Sequence, residues 1–259
     1  MKYDKYPSGK NLEASYNTSI STDKAELQRF ARLANEWYAP NGAFKVVHKF
    51  NPIRKSYIKN SIMNYFSLDE LGGTPFAGLR VLDVGCGVGF LCEDLARMGA
   101  TVTGIDAVYE HINIARHHAR EEKLRIDYRH CLAEHVLDRD EKFDVVLNTE
   151  VIEHVPDQVQ LMQDCANLLD LNGLLIIGTL NRTLRAFLVA IVGAEYVLRW
   201  LPRGTHSWKC FVRPDEIAEM VSPYGLEIRE LMGVVYNPLS RKWGLSKDSS
   251  VNYILQACR

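Results

Sequence analysis

Three glycines at alternating positions, Gly85, Gly87 and Gly89, follow the apolar run VLDV and precede a helical pattern in VLDVGCGVGF. Glycine permits positive φ and lets a ligand approach the backbone, so such a turn suits a nucleotide-like cofactor. Two absences narrow the choice. A dinucleotide turn needs its third glycine at position 90, where Phe90 stands, and the Gly-Lys-Ser/Thr of a phosphate loop is missing. Two acids narrow it further. Asp83, two residues before the first glycine, suits an ammonium group better than a pyrophosphate. Asp106 ends the next strand-like run, TVTGID, where an acid accepts hydrogen bonds from ribose hydroxyls. D-x-G-x-G-x-G followed by that acid points to S-adenosylmethionine.

A second group lies in NTEVIEHVPD, where Glu153 and His154 follow Glu150 by three and four residues. On a turn of helix all three would share a face. Two carboxylates and an imidazole could hold a hard divalent cation such as Mg²⁺. Alternatively, His154 could serve as a general base near neutral pH. Either suits methylation of a phenol, whose pKa of about 10 makes it a poor nucleophile at pH 7.

These residues need elements that bring them together. RVLDV, TVTGID, RIDYRH, FDVVLN and GLLIIGTL read as strands. Helical patterns over 90–98, 109–122 and 158–169 alternate with them. That order means a parallel sheet covered on both faces, with the site beyond the C-terminal strand ends. GLEIRELMGVVY and NYILQAC follow with no convincing helix between them, so an antiparallel hairpin should close the sheet. Upstream, residues 1–21 are polar and should be disordered or loosely docked. Residues 22–78 form a helical cap, with one helix from Thr22 and another over about 55–66, after a loop bounded by Pro40 and Pro52. The catalytic domain is then 79–259.

The insertion after the fifth strand, residues 181–212, is long and apolar. Arg182, Arg185, Glu195 and Arg199 fall in one sector of a helical wheel, opposite Leu184, Phe187, Leu188, Ile191, Tyr196 and Leu198. Over 181–213, five arginines and Lys209 face one acid, a net +5, which leaves −6 on the rest of a chain whose total is −1. A basic amphipathic element beside a site can rest on an anionic membrane, line a tunnel for a greasy substrate, or simply pack on the core.

The near-neutral total argues against a general nucleic-acid binder. The six cysteines form no CxxC pair and read as reduced thiols. The N-terminus has no apolar signal segment, and no apolar run reaches the roughly 20 residues needed to span a bilayer. An intracellular protein is expected.

VLDVGCGVGF and TVTGID resemble motifs of class I S-adenosylmethionine-dependent methyltransferases. That family implies a Rossmann-like, mostly parallel sheet of seven strands, the last antiparallel. More specifically, FNPIR, TEVIEHVPD, TLNRT, VGAEYVLRWLPRGTH and VNYIL are similar to the bacterial ubiquinone-biosynthesis O-methyltransferases, over about residues 24–258. The resemblance implies O-methylation of polyprenylated catechol and demethylubiquinol intermediates. It implies that Arg54 contacts the cofactor, that Gly85 lines its methionine part, that Asp106 binds its ribose, and that Thr149 approaches it from the fourth strand. It also implies Mg²⁺ at Glu150, Glu153 and His154, and lipid contact by 181–206. The expected setting is cytoplasmic, peripheral to the inner membrane and in the company of other ubiquinone-biosynthesis enzymes. Val88 stands where many bacterial members have another glycine. Two readings stay open: a methyltransferase for a soluble phenol or carboxylate, with the insertion as a lid, and a non-catalytic scaffold of a membrane-bound complex.

Overall fold

The computed structural model describes residues 24–33, 45–69, 73–189, 191, 207–237 and 242–259. Thr22, residues 34–44 and most of the insertion, 192–206, lie outside them. So do Glu195, Tyr196, Leu198 and Arg199.

The expected alternation is present. After α1 (Lys24–Leu33) and α2 (Lys45–Tyr65) come β1 (Arg80–Val84), α3 (Phe90–Arg97), β2 (Thr101–Asp106), α4 (Tyr109–Glu121) and β3 (Ile126–His130). Then follow α5 (Ala133–Leu137), β4 (Phe143–Thr149), α6 (Gln158–Leu168), β5 (Leu169–Leu180), α7 (Leu184–Ala186), α8 (Pro214–Val221), β6 (Glu227–Asn237), β7 (Lys242–Ser246) and β8 (Asn252–Cys258). The sheet order is β3-β2-β1-β4-β5-β8-β6-β7. Strands β1 to β5 run parallel, while β8 is antiparallel to β5 and β6, and β7 is antiparallel to β6. The sheet therefore has eight strands instead of seven. The extra one is β7, which extends the closing hairpin at the outer edge.

The core lies on both faces, as the near-continuous apolar strands require. One face packs Leu82, Val84, Val146 and Leu175 against α5, α6 and α8. The other packs Val81, Val145, Leu147 and Ile176 against α2, α3 and α4. From α2, Ile58 and Ile62 are fully buried, worth about 1.5–3 kcal/mol each.

One expectation needs correction. Helix α2 begins at Lys45 and runs through Pro52, where a loop was expected. Proline removes one backbone hydrogen bond and kinks a helix without having to end it. The described start of the insertion is helical: a short α-helical turn, capped by the Thr183 hydroxyl accepting from the Ala186 amide, runs into a wider helical turn through residue 189. Ala186 faces inward, whereas Leu184, Leu188 and Val189 are at least half exposed. Arg182 pairs with Glu216, and Arg185 with Asp248 at 2.5 Å, so part of the positive charge is locally balanced.

Among the described residues, no helix is long and apolar enough to cross a membrane.

Candidate active site

The glycine turn lies over the end of β1, with the Gly85 and Cys86 amides donating to the Ile105 carbonyl. Gly85, Gly87 and Gly89 all have positive φ, at 74°, 54° and 90°, in the region closed to most L-residues. Their surroundings differ. A Cβ at Gly85 would collide with Val151, and one at Gly89 with the ring of Tyr128. A Cβ at Gly87 would meet nothing within 4 Å. Gly87 is thus the glycine whose open side faces free space.

Asp106 is buried at the end of β2 and ties this turn together. Gly87 N–H donates to its Oδ2 at 2.8 Å and Val108 N–H to its Oδ1 at 2.7 Å, while His111 Nδ1 lies 3.3 Å from Oδ1. A carboxylate offers about four acceptor positions, so room for a ribose hydroxyl remains. Sequence reasoning missed these backbone contacts of Asp106, and missed His111, whose place depends on the turn's folded shape.

Asp83 is opposite Gly104 in the β1–β2 register, on the sheet face that carries Asp106. It is 2% exposed and accepts from Cys92 Sγ at 3.3 Å. Burial pushes its carboxyl up to about 7, with the Cys92 thiol and Arg54 pulling the other way. Such a group gains most from a cation brought to it. Thr149 ends β4, two residues beyond Leu147, the partner of Asp83, and so shares that face.

Arg54 approaches from α2. Its Nη2 donates to Asn51 at 2.6 Å and its Nη1 lies 3.7 Å from Glu150 Oε1. Its Nε and Nη1 are buried without a hydrogen-bond partner.

Glu150, Glu153 and His154 do not form the single helical face expected. Glu150 precedes the short 3₁₀ turn Ile152–His154 and takes φ +59°, with its N–H held by the Gly178 carbonyl at 2.8 Å. A non-glycine residue in that region stores about 1–3 kcal/mol and is a feature of functional sites. A third of its side chain is accessible, and protein closes around the rest. Burial, then Glu153, push its carboxyl up to about 7, against Arg54 and His154. Glu153 instead turns inward. It is 5% exposed, and its Oε2 accepts from Thr179 Oγ1 at 2.8 Å. Its Oε1 is buried without a hydrogen-bond partner. The ring of His154 stands edge-on to Phe30 of α1 at 5.1 Å, and Phe30 also reaches His111 at 6.3 Å. Among the described residues, no three His, Cys, Asp or Glu side chains stand in a metal-binding arrangement.

A cradle of three glycines, two buried acids and an arginine therefore adjoins a turn bearing two carboxylates and an imidazole. A model of the methyltransferase domain matches residues 59–231. The ubiquinone biosynthesis O-methyltransferase of Chelativorans sp. (strain BNC1) is 50% identical over 235 residues, 91% of this chain and 93% of that protein. The protein of the same name from Sinorhizobium medicae is 49% identical over 245 residues, 95% and 99% of the two chains.

The chain belongs to the ubiquinone biosynthesis O-methyltransferase family.

The fold agrees with that membership. Magnesium protoporphyrin IX methyltransferase from Synechocystis PCC 6803, solved with bound SAH, superposes with a TM-score of 0.62 at 20% identity, covering 91% of this chain and 95% of that one. The PH0226 protein of Pyrococcus horikoshii superposes with a TM-score of 0.61 at 16% identity, covering 89% and 98%. As a family member, the protein is an S-adenosylmethionine-dependent O-methyltransferase of ubiquinone biosynthesis.

Proposed function

We propose that the protein methylates a phenolic oxygen of polyprenylated catechol and demethylubiquinol intermediates. The observation that carries this is the adjacency of two half-sites. The glycine cradle with Asp83 and Asp106 lies at the ends of β1 and β2, and the Glu150–His154 turn lies at the end of β4, the strand beside β1.

When bound, S-adenosylmethionine supplies an electrophilic methyl on a sulfonium. The chain's task is to align a phenolic oxygen behind that methyl. In this reading Asp106 receives a ribose hydroxyl, Gly87 leaves room for the adenosyl part, and Asp83 faces the ammonium. Arg54 offers its unpartnered N–H groups to the carboxylate, and Thr149 walls the pocket from β4. His154 takes the phenolic proton as the oxygen attacks, with Phe30 fixing its ring, while Glu150 stabilises the imidazolium.

A second reading has one observation in its favour. Glu153 Oε1, buried without a partner, is an atom a divalent cation could take. As arranged, Glu150 leans to Arg54 and Glu153 to Thr179, so both would have to turn before joining His154 around Mg²⁺. Activity that survives chelation supports His154 as base. Activity lost on chelation and restored by Mg²⁺ supports the cation.

The exposed Leu184, Leu188 and Val189, beside Arg185, support delivery of the prenyl tail from an anionic membrane surface. Other ubiquinone-biosynthesis enzymes could gather at that surface. The discriminating experiment compares a polyprenyl catechol with unsubstituted catechol. The proposal requires kcat/KM at least about 100-fold higher for the prenylated ring, the worth of a few buried methylenes. Equal values favour a soluble phenol, with the insertion as a lid.

A further inference from the structure

The middle of α2 is fastened to the antiparallel edge of the sheet by a closed set of side-chain hydrogen bonds. Gln256, buried on β8, places its Nε2 2.8 Å from both Tyr57 Oη and Ser61 Oγ, and 2.5 Å from Glu230 Oε2. Tyr57 donates its hydroxyl proton to Glu230 across 2.5 Å, and Ser61 donates to the Tyr57 carbonyl at 2.8 Å. The two amide protons of Gln256 can serve Tyr57 and Ser61 while both hydroxyl protons are spent elsewhere, so every donor finds an acceptor.

A β-bulge makes this possible. Ile228 pairs with Ala257, but Glu230 pairs with Gln256, so β6 carries one extra residue. Without it, Arg229 would stand opposite Gln256 and offer Tyr57 a cation in place of an acceptor. Arg229 instead lies over the ring of Tyr65, 5.1 Å from its centre.

Arg54 is three residues before Tyr57 on the same helix, about 4.5 Å along the axis. Ile58 and Ile62 already hold α2 to the sheet, but apolar contact is non-directional. It would let the helix slide or rotate by the ångström that decides whether a guanidinium meets its target. Hydrogen bonds require both distance and angle. We propose that Tyr57, Ser61, Gln256 and Glu230 are positioning residues, which set through one turn of α2 where Arg54 presents its unpartnered N–H groups to the carboxylate of the bound cofactor. The proposal rests on the reading of Arg54 as a cofactor contact. It gives the C-terminal hairpin, remote from the glycine turn, a part in cofactor affinity.

The test is calorimetric titration with S-adenosylhomocysteine, together with steady-state kinetics on the full-length enzyme. Tyr57→Phe removes one oxygen atom, and Gln256→Met keeps the side chain's length. Each should weaken binding about tenfold, the worth of one good hydrogen bond, while kcat at saturating cofactor stays within about twofold of wild type. In an Arg54→Lys background, Tyr57→Phe should add nothing, because both changes act on one contact. Should the melting temperature fall while affinity holds, or should the two losses add in full, the residues serve stability alone and the proposal is wrong. Ser61→Ala, a milder change, keeps the test open if Gln256→Met does not fold. Wild-type affinity in Arg54→Lys itself would overturn the arginine contact, and this proposal with it.

Discussion

Thr179 Oγ1 donates a hydrogen bond to Glu153 Oε2 across 2.8 Å, and both residues are buried. The pair links the turn after β4 to the end of β5 and fixes which oxygen of Glu153 is committed. Replacing Thr179 with valine keeps the shape and leaves both carboxylate oxygens unpartnered. Stability should fall by about 1–3 kcal/mol, the penalty for an orphaned buried acceptor. Denaturant titration should show a lower midpoint at unchanged slope, and Thr179→Ser should restore it. A valine variant as stable as wild type would mean that Glu153 is satisfied in another way.

Gly85 and Gly87 should respond differently to alanine. At Gly85 a methyl meets Val151 as well as a left-handed φ, so Gly85→Ala should cost about 3 kcal/mol or more of stability. At Gly87 the methyl meets no protein atom within 4 Å, leaving a strain of about 1–2 kcal/mol. Gly87→Ala should therefore fold yet bind S-adenosylhomocysteine poorly, because the methyl occupies the cofactor's space. If titration calorimetry found wild-type affinity in Gly87→Ala, the cofactor would not lie against that glycine.

Asp106 bonds two backbone amides of the loops around the cradle. Asp106→Ala should lower affinity for S-adenosylhomocysteine about 10- to 100-fold, the loss of one charge-assisted hydrogen bond. It should also raise hydrogen exchange at Gly87 and Val108. Affinity lost without any change in exchange would assign Asp106 to the ligand alone.

Asp83 makes the apo protein's stability depend on pH. Its folded pKa is pushed up by burial from 3.8 to about 7. Between those values the folded state binds more protons than the unfolded one, so stability falls as pH rises from about 4 to about 7. Below that window both states are protonated and the contribution is constant. Asp83→Asn should flatten this part of the stability–pH curve relative to wild type, as read by chemical denaturation at several pH values. Identical slopes would place a charged, well-solvated carboxyl at Asp83. A cofactor ammonium would stabilise the charged form, so cofactor binding near pH 6.5 should release a proton in wild type only.

How far the sequence could be read follows the range of the interactions. The turn at 85–89 and the acid at 106 were legible because glycine freedom and strand-end geometry are local. The five parallel strands were legible because buried strands are apolar throughout. The continuation of α2 through Pro52 was not, because packing by Ile58 and Ile62 offsets the lost hydrogen bond. β7 was missed because KWGLS is short, partly exposed and lies at an edge, where the apolar pattern is weak. At the candidate site, Glu150, Glu153 and His154 stand out in the sequence by type and spacing. Their divergence was not, because it depends on Thr179 from a neighbouring strand and on a positive φ that glutamate rarely adopts. Phe30, Tyr57 and Gln256 carry no local signal, since their partners are remote in sequence.

The central claim is tested most directly by incubating the enzyme with S-adenosylmethionine deuterated at the methyl and a polyprenyl catechol, then locating the label by mass spectrometry. The account predicts that one intact labelled methyl sits on a ring hydroxyl oxygen, and that at limiting cofactor product forms about 10- to 100-fold more slowly in Asp106→Ala. Label on ring carbon, or no transfer by an enzyme that binds both compounds, would contradict it.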